Sequence, residues 1–396
     1  VSGGGCWRTV VGGALAAAGA LSAACAPAAP GAEPPQAAIL YVADERAGTL
    51  NRLDGAGGRP LEPPLPVGAA PAQVVVGAGG GALVRAGGPA RAEVTYVAPL
   101  GDRLVARPVT LEPGARAVLL AGDGGDYAAV AYARPARDEP ACGLVLVDLR
   151  TGRAEAPHLA CTPRELVAGV ALERSSEGPI VYLALWRRAA PPDRTFAPAG
   201  ARLLRLTARS GAPLAEAPLD GLPRPAAYGG SLLFASSPLG GGRLYAVEAL
   251  PGSQLATWDE AEFTWQYPLS AGWRLRRLSP QTLEPEVEMR LPFAPTGLAV
   301  APDGAAYAFD ALGDRLVTVD LGTGRAAELA RVPGHRPWGL AATASWLYAA
   351  GPPDGRVWVL DRSTGRRVAA LRAGRAPVAI GVAPVSGGRA GGRRGR

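Results

Sequence analysis

The sequence contains no lysine; all 41 basic residues are arginine. Lysine general bases and lysine Schiff bases are thereby excluded. Asn51 is the only asparagine, and Asn51-Arg52-Leu53 does not form an N-glycosylation acceptor. Histidine occurs only as His158 and His335, so a histidine-rich metal centre would need both, and a histidine-dependent triad has two candidate bases at most. Gly and Pro together number 93 of 396 residues, which by itself leans toward low complexity. Apolar types reach 48%, enough for a sizeable core, so these residues are read as turn formers between many short strands. An all-β chain is expected. The net charge is +7, but Arg8, Arg389, Arg393, Arg394 and Arg396 lie at the two ends; removing these five leaves +2 on the body. No basic stripe runs along the body, so nucleic acid is not an expected partner.

The longest uncharged run near the start, Thr9 to Ala24, has 16 residues, short of the ~20 of a spanning helix. Arg8, this apolar run and the small residues that follow have the order of a secretory signal. Leu21-Ser22-Ala23-Ala24-Cys25 resembles the bacterial lipobox, which implies lipidation of Cys25. Cleavage after Ala24 or Ala26 without a lipid, and an uncleaved anchor, are the alternatives. Residues 26–36 are Pro/Ala-rich without apolar periodicity and read as an extended tether. The expected organisation is a signal over 1–25, a tether over 26–36, one domain over 37–385 and a disordered Gly/Arg tail over 386–396. The address is the extracytoplasmic side of a bacterial cell membrane, held there by the lipid.

Only Cys142 and Cys161 remain in the body. Thr151-Gly152 stands midway between them, so a hairpin turning there sets the two cysteines opposite each other. A disulfide is expected in an oxidising compartment, and two buried free thiols are the alternative.

Repeats organise the domain. Pro295-Thr296-Gly297-Leu298-Ala299-Val300 recurs at Pro337 to Ala342 and again at Pro377 to Val382, spacings of 42 and 40 residues. Asp-x-x-Thr-Gly-Arg occurs at Asp148, Asp320 and Asp361, with weaker forms beginning at Asp54, Thr207 and Ser279. A period near 40 with four short apolar runs is the signature of a propeller blade. Seven units follow, starting near Pro71, Arg116, Arg164, Pro225, Pro295 and Pro337, with the first beginning at its second strand, Ile39 to Asp44. The spacing predicts an all-β, seven-bladed β-propeller of four-stranded antiparallel blades. The missing inner strand of the first blade is supplied from Val378 to Val382, closing the ring.

Leu40-Tyr41-Val42-Ala43-Asp44, Thr49 to Asp54 and Pro66-Val67-Gly68, with similar segments in the last two units, resemble YVTN-repeat propellers. The resemblance covers about a third of the chain and implies fold rather than function.

In such a blade the first-to-second and third-to-fourth hairpins open on one face, and the remaining connections on the other. Three consecutive units carry long second-to-third connections: between Tyr132 and Cys142, from Arg187 to Gly200, and from Ser237 to Gly272. Connections beyond ~12–15 residues are usually functional or disordered. The longest contains Trp258, Asp259, Glu260, Trp265 and Tyr267; its neighbour is basic, with Arg187 and Arg188. His335, Arg336 and Trp338 precede the last unit on the same face. These ten residues are the candidate ligand- or partner-binding set, an acidic-aromatic surface beside a basic one. A satellite core in which the inserts pack on each other is the alternative.

Propeller enzymes provide a test. Quinoprotein dehydrogenases end their Asp-x-x-Thr-Gly repeats in a tryptophan, which is absent after Arg153, Arg325 and Arg366. Calcium-dependent lactonases use an asparagine-rich set that Asn51 alone cannot supply. Asp259, Glu260 and Glu262 are nominal glycosidase acids. No metal site, cofactor or catalytic residue is therefore expected. The reading is a non-enzymatic, monomeric lipoprotein scaffold that binds a protein or glycan; a divergent lactonase- or glycosidase-like hydrolase with acids at the channel mouth is the second reading.

Overall fold

The computed structural model describes residues 38–384 except 88–91, 101–102, 135–140, 156–157, 160, 163–164, 189–197, 224–231, 236–241, 251–256, 260–263, 267–271, 294, 311–313, 333–338 and 352–353. Cys25, the tether and the Gly/Arg tail therefore lie outside the described residues.

Blade 1 contains β1 (Ala38–Asp44), β2 (Thr49–Asp54) and β3 (Leu65–Pro66). Blade 2 is β4 (Gln73–Val76), β5 (Ala82–Ala86), β6 (Glu93–Leu100) and β7 (Arg103–Pro108). Blade 3 is β8 (Arg116–Gly122), β9 (Tyr127–Arg134), β10 (Ala141–Asp148) and β11 (His158–Leu159). Blade 4 is β12 (Glu165–Ser175), β13 (Gly178–Arg188), β14 (Pro198–Thr207) and β15 (Pro213–Leu219). Blade 5 is β16 (Leu222–Pro223), β17 (Leu232–Ala235), β18 (Arg243–Ala249), β21 (Trp273–Leu278) and β22 (Pro285–Leu291), with a separate ribbon, β19 (Thr257–Asp259) and β20 (Thr264–Gln266), between β18 and β21. Blade 6 is β23 (Pro295–Val300), β24 (Ala306–Asp310), β25 (Arg315–Asp320) and β26 (Arg325–Arg331). Blade 7 is β27 (Gly339–Ala342), β28 (Trp346–Gly351), β29 (Arg356–Asp361) and β30 (Arg367–Arg372). The remaining strand, β31 (Pro377–Pro384), pairs with β1 from Ala38↔Pro384 to Val42↔Ile380, and so completes blade 1 from the other end of the chain. The innermost strands touch in the cyclic order β31, β4, β8, β12, β17, β23, β27 and back to β31. The chain is an all-β, seven-bladed propeller whose ring closes as the repeats predict.

Each blade is covered on both faces, so its second strand is buried almost throughout rather than on alternate residues. Ile180 to Trp186 of β13 is buried at every position. Odd and even residues feed different seams: Tyr245, Val247 and Leu275 pack against blade 6 through Ala306, Ala308 and Val317. Leu244, Ala246 and Leu278 pack against blade 4 through Tyr182 and Leu203. Each fully buried leucine contributes roughly 1.5–3 kcal/mol, spread along every seam. Tyrosine hydroxyls staple neighbouring blades: Tyr41 donates to the Gly80 carbonyl at 2.7 Å and Tyr96 to the Leu149 carbonyl at 2.9 Å.

The Asp-x-x-Thr-Gly motifs form the turn between third and fourth strands. The carbonyl of Asp148 accepts from Gly152 N–H at 2.7 Å, and the carbonyl of Arg153 accepts from Asp148 N–H at 2.9 Å. Asp148 Oδ1 also accepts from the N–H groups of Arg150 and Thr151. Gly152 has φ +73°, a region L-residues avoid, which accounts for glycine at the fifth position. The weaker forms make the same two backbone bonds: Asp54 with Gly58 and Arg59, Thr207 with Gly211 and Ala212, and Ser279 with Leu283 and Glu284.

Blade 5 corrects the sequence reading. Ser237 to Gly272 is not one insert, because β18 lies within it; Leu232–Ala235 is the innermost strand rather than the second. The insert proper is 250–272. The other two inserts are also shorter than the sequence suggested, since β9 and β10 extend to Arg134 and from Ala141, and β13 and β14 to Arg188 and from Pro198. A disulfide joins Cys142 and Cys161, with Cα atoms 5.5 Å apart. The ladder pairs Gly143 with Leu159 and Leu144 with His158, so the cysteines sit diagonally rather than directly opposite.

Candidate functional site

The face bearing the second-to-third connections is built at the end of each second strand. Three of these strands carry a buried acid at or next to their last residue, three residues after a tyrosine: Tyr41–Asp44, Tyr245–Glu248 and Tyr307–Asp310. The innermost strands carry charged residues only at their ends, Arg116 and Glu165 at this face and Glu173 and Arg174 toward the other, so the channel wall between is apolar.

The blade 5 insert rises from a locked stem. Glu248 pairs with Arg274 and Ala249 with Trp273 in the ladder, and Leu250 N–H donates to the Gly272 carbonyl at 2.8 Å. Further out, the backbone register sets Trp258 opposite Trp265 and Asp259 opposite Thr264.

The stem carries five charges. Arg274 Nη2 contacts Glu248 Oε2 at 2.6 Å and the Asp220 carboxylate, and its Nη1 contacts Glu288 at 3.3 Å. Arg276 lies two residues on, with Nη2 2.8 Å from Asp220 and Nε 2.9 Å from Glu288. Glu248 is fully buried, and its Oε1 has no hydrogen-bond partner among the described residues. Burial pushes the Glu248 carboxyl up, and the Arg274 bonds offset this only in part. Gly221 has to be glycine for the cluster to close, since a Cβ there would meet Glu248 Oε2 at 2.6 Å.

A second charge cluster sits under the blade 4 insert. Arg202 holds Glu165 with two parallel bonds, Nε–Oε1 at 2.6 Å and Nη2–Oε2 at 2.8 Å, and reaches Glu216 at 3.0 Å. Burial alone would raise the Glu165 carboxyl; the Arg202 bonds and the Thr162 N–H together outweigh it and hold the group below its ordinary range. Arg187 is exposed and pairs in the ladder with Glu165 on one side and Gly200 on the other. Arg188 ends β13 opposite Pro198.

Of the ten sequence candidates, Trp258, Asp259 and Trp265 share the ribbon, and Arg187 and Arg188 stand together at the root of the neighbouring insert. Glu260, Tyr267, His335, Arg336 and Trp338 lie outside the described residues. The sequence reading missed Glu248, Arg274, Arg276, Glu165 and Arg202. Tyr245-x-x-Glu248 repeats the pattern of Tyr41-x-x-Asp44, and that signal marks both the strand and its buried acid.

Among the described residues, four buried acids stand at this face, and each has a hydrogen-bonding partner. Asp44 accepts backbone N–H groups, Glu165 and Glu248 hold arginines, and Asp310 Oδ2 accepts from Arg315 Nη2 at 2.6 Å. Among the described residues no three Cys, His, Asp or Glu side chains gather as a metal-ligand set. His158 lies in β11, partly buried, beside the disulfide rather than on the insert face.

No family model matches the chain, and no curated protein matches it. Solved structures do. Apo AztD from Citrobacter koseri is 16% identical, over 87% of this chain and 98% of that one, with a TM-score of 0.51. The dihydro-heme d1 dehydrogenase NirN, solved in complex with DHE, is 18% identical over 86% and 74%, with a TM-score of 0.52. Kuenenia stuttgartiensis hydrazine synthase is 13% identical over 82% and 93%, with a TM-score of 0.53. At these identities the likeness is one of fold.

Proposed function

We propose that this propeller is a non-enzymatic binding protein of the bacterial cell envelope. In this reading it is exported, lipid-anchored through Cys25, and engages a protein or glycan with the face carrying the inserts of blades 3–5. The observation that supports it best is the blade 5 hairpin. Its root is clamped by Glu248, Arg274 and Arg276, and the insert contains a ribbon with Trp258 opposite Trp265. A clamped root carrying an insert with two paired tryptophans suits recognition, since preorganisation lowers the ordering cost of binding. The engaged acids favour this over hydrolysis, which needs a free carboxylate pair. The disulfide agrees with an oxidising compartment. Blades 1, 6 and 7 are read as repeats of YVTN type.

The test is a photo-crosslinking residue at position 262 in the intact chain, expressed in cells, with position 372 on the outermost strand of blade 7 as control. Adducts at 262 that are absent at 372 are expected. Equal labelling at both positions, or turnover of a lactone or glycoside that Asp259→Asn abolishes, overturns the reading. Mass analysis of the purified protein checks the anchor: diacylglycerol on Cys25 is expected, and an unmodified terminus refutes it.

A further inference from the structure

On the face opposite the inserts, at the seam of blades 5 and 6, lies a cavity of about 230 Å³. Its walls come from β18 and β21 on one side and from two turns of blade 6 on the other. The floor is apolar, formed by Tyr245, Ala306 and Val319, all buried. The Tyr245 ring is fixed, because its hydroxyl donates to the Gly304 carbonyl at 3.3 Å. Gly304 has φ +87°, and a Cβ there would meet Arg243 Nη1 at 2.6 Å, so glycine leaves room for the guanidinium.

Two guanidinium groups, Arg243 and Arg277, line this cavity. Arg277 Nε donates to Glu286 at 2.9 Å, but that carboxylate is 45% exposed and such a pair is weak. Arg243 has no ion-pair partner among the described residues. One carboxylate, Asp320, also lines the space, and its own turn occupies it. Asp320 Oδ1 accepts from Gly322 N–H at 2.8 Å and Thr323 N–H at 3.2 Å, and Oδ2 accepts from the Thr323 hydroxyl at 2.8 Å.

We propose that this cavity is a binding site for a small organic carboxylate with an apolar body. Arg243 pairs with the carboxylate, a planar fork that matches it bidentately. The tyrosine ring and aliphatic floor receive the body. The volume falls below the ~300–1,000 Å³ of drug-sized sites, which suits a compact acid. The site shares no residue with the insert face and does not depend on the function proposed above.

The probes are benzoate, its neutral isostere benzamide, and inorganic phosphate, titrated into the full chain and followed by calorimetry and ligand-observed NMR. Benzoate is expected to bind with one-to-one stoichiometry, at least tenfold tighter than benzamide or phosphate. Arg243→Gln should weaken benzoate about tenfold. Glu286→Gln, which releases Arg277, should tighten it. Both side chains are exposed, and unchanged melting of the two variants verifies the fold. Equal binding of benzamide would reduce the cavity to an apolar nook, and equal binding of phosphate would make it a bare anion site. Either result, or an indifferent Arg243→Gln, overturns the proposal.

Discussion

Asp44 accepts the backbone N–H of Ala376 at 3.1 Å, joining the second strand of the first blade to the chain just before its last strand. The same carboxylate accepts from Arg375 N–H at 2.6 Å and from Arg46 and Ala47 N–H in its own turn. Four donors therefore converge on one buried acid. Asn51 adds a bond to the Ala373 carbonyl at 2.9 Å. The only asparagine of the chain is thus engaged at the seam that closes the ring.

Asp44→Ala leaves N–H groups of residues 375 and 376 without their acceptor. Bonds to a charged acceptor are worth ~1.5–3 kcal/mol each, so a loss of at least ~3 kcal/mol is expected in urea unfolding. Asp44→Asn, which keeps one acceptor oxygen, should lose less.

The disulfide spans 19 positions of sequence. Closure of a loop of that length is worth about 3 kcal/mol. Replacing both cysteines with alanine should lower the calorimetric melting temperature, and thiol titration of the unreduced, unfolded wild-type domain should find neither Cys142 nor Cys161 free.

Two buried acids give opposite pH dependence. Glu165 is held below its ordinary range, so its contribution is complete above the unfolded value near 4.5 and is lost as pH falls through the lower folded value. The deficit of Glu165→Gln should therefore shrink on acidification below about pH 4.5. Glu248 is pushed up by burial, so its contribution is complete below 4.5 and is lost as pH rises through its raised folded value. Relative to wild type, Glu248→Gln should gain stability as pH rises above about 4.5. Urea titrations at several pH values read both slopes.

Leu283 stands where the other turns have glycine, with φ +64° against +67° at Gly58 and +66° at Gly211. Its side chain is buried between blades 4 and 5, which explains why leucine is retained there. Leu283→Gly relieves ~1–2 kcal/mol of backbone strain and removes ~2–5 kcal/mol of packing. A net loss of about 2 kcal/mol is expected on unfolding.

The fold was legible where the repeat is local. Asp-x-x-Thr-Gly fixes a turn through contacts within six residues, so it marks the third-to-fourth hairpin in blades 3, 6 and 7 without knowledge of the ring. The closing strand was legible because Pro377 to Val382 repeats Pro295 to Val300. Blade 5 was misread because Leu232–Ala235 resembles a second strand in isolation, and only pairing to β18 shows it to be innermost. The charge clusters were hidden for a related reason. Glu248 and Arg274 are 26 positions apart and meet only through the register of a hairpin whose arm intervenes. The acids that stood out, Asp259 and Glu260, drew notice because they lie in the longest insert among tryptophans, whereas burial selects Glu248 and Glu165.

Strand β31 comes last in chain order yet pairs with the first strand. During synthesis, six blades can assemble while the first waits with its inner edge bare over Ala38–Asp44. An unpaired edge of that length is a hazard for association with other chains. Maturation of the ring is therefore timed by the arrival of its final strand, and a premature stop before Pro377 would leave a nearly complete molecule that stays open and prone to aggregate.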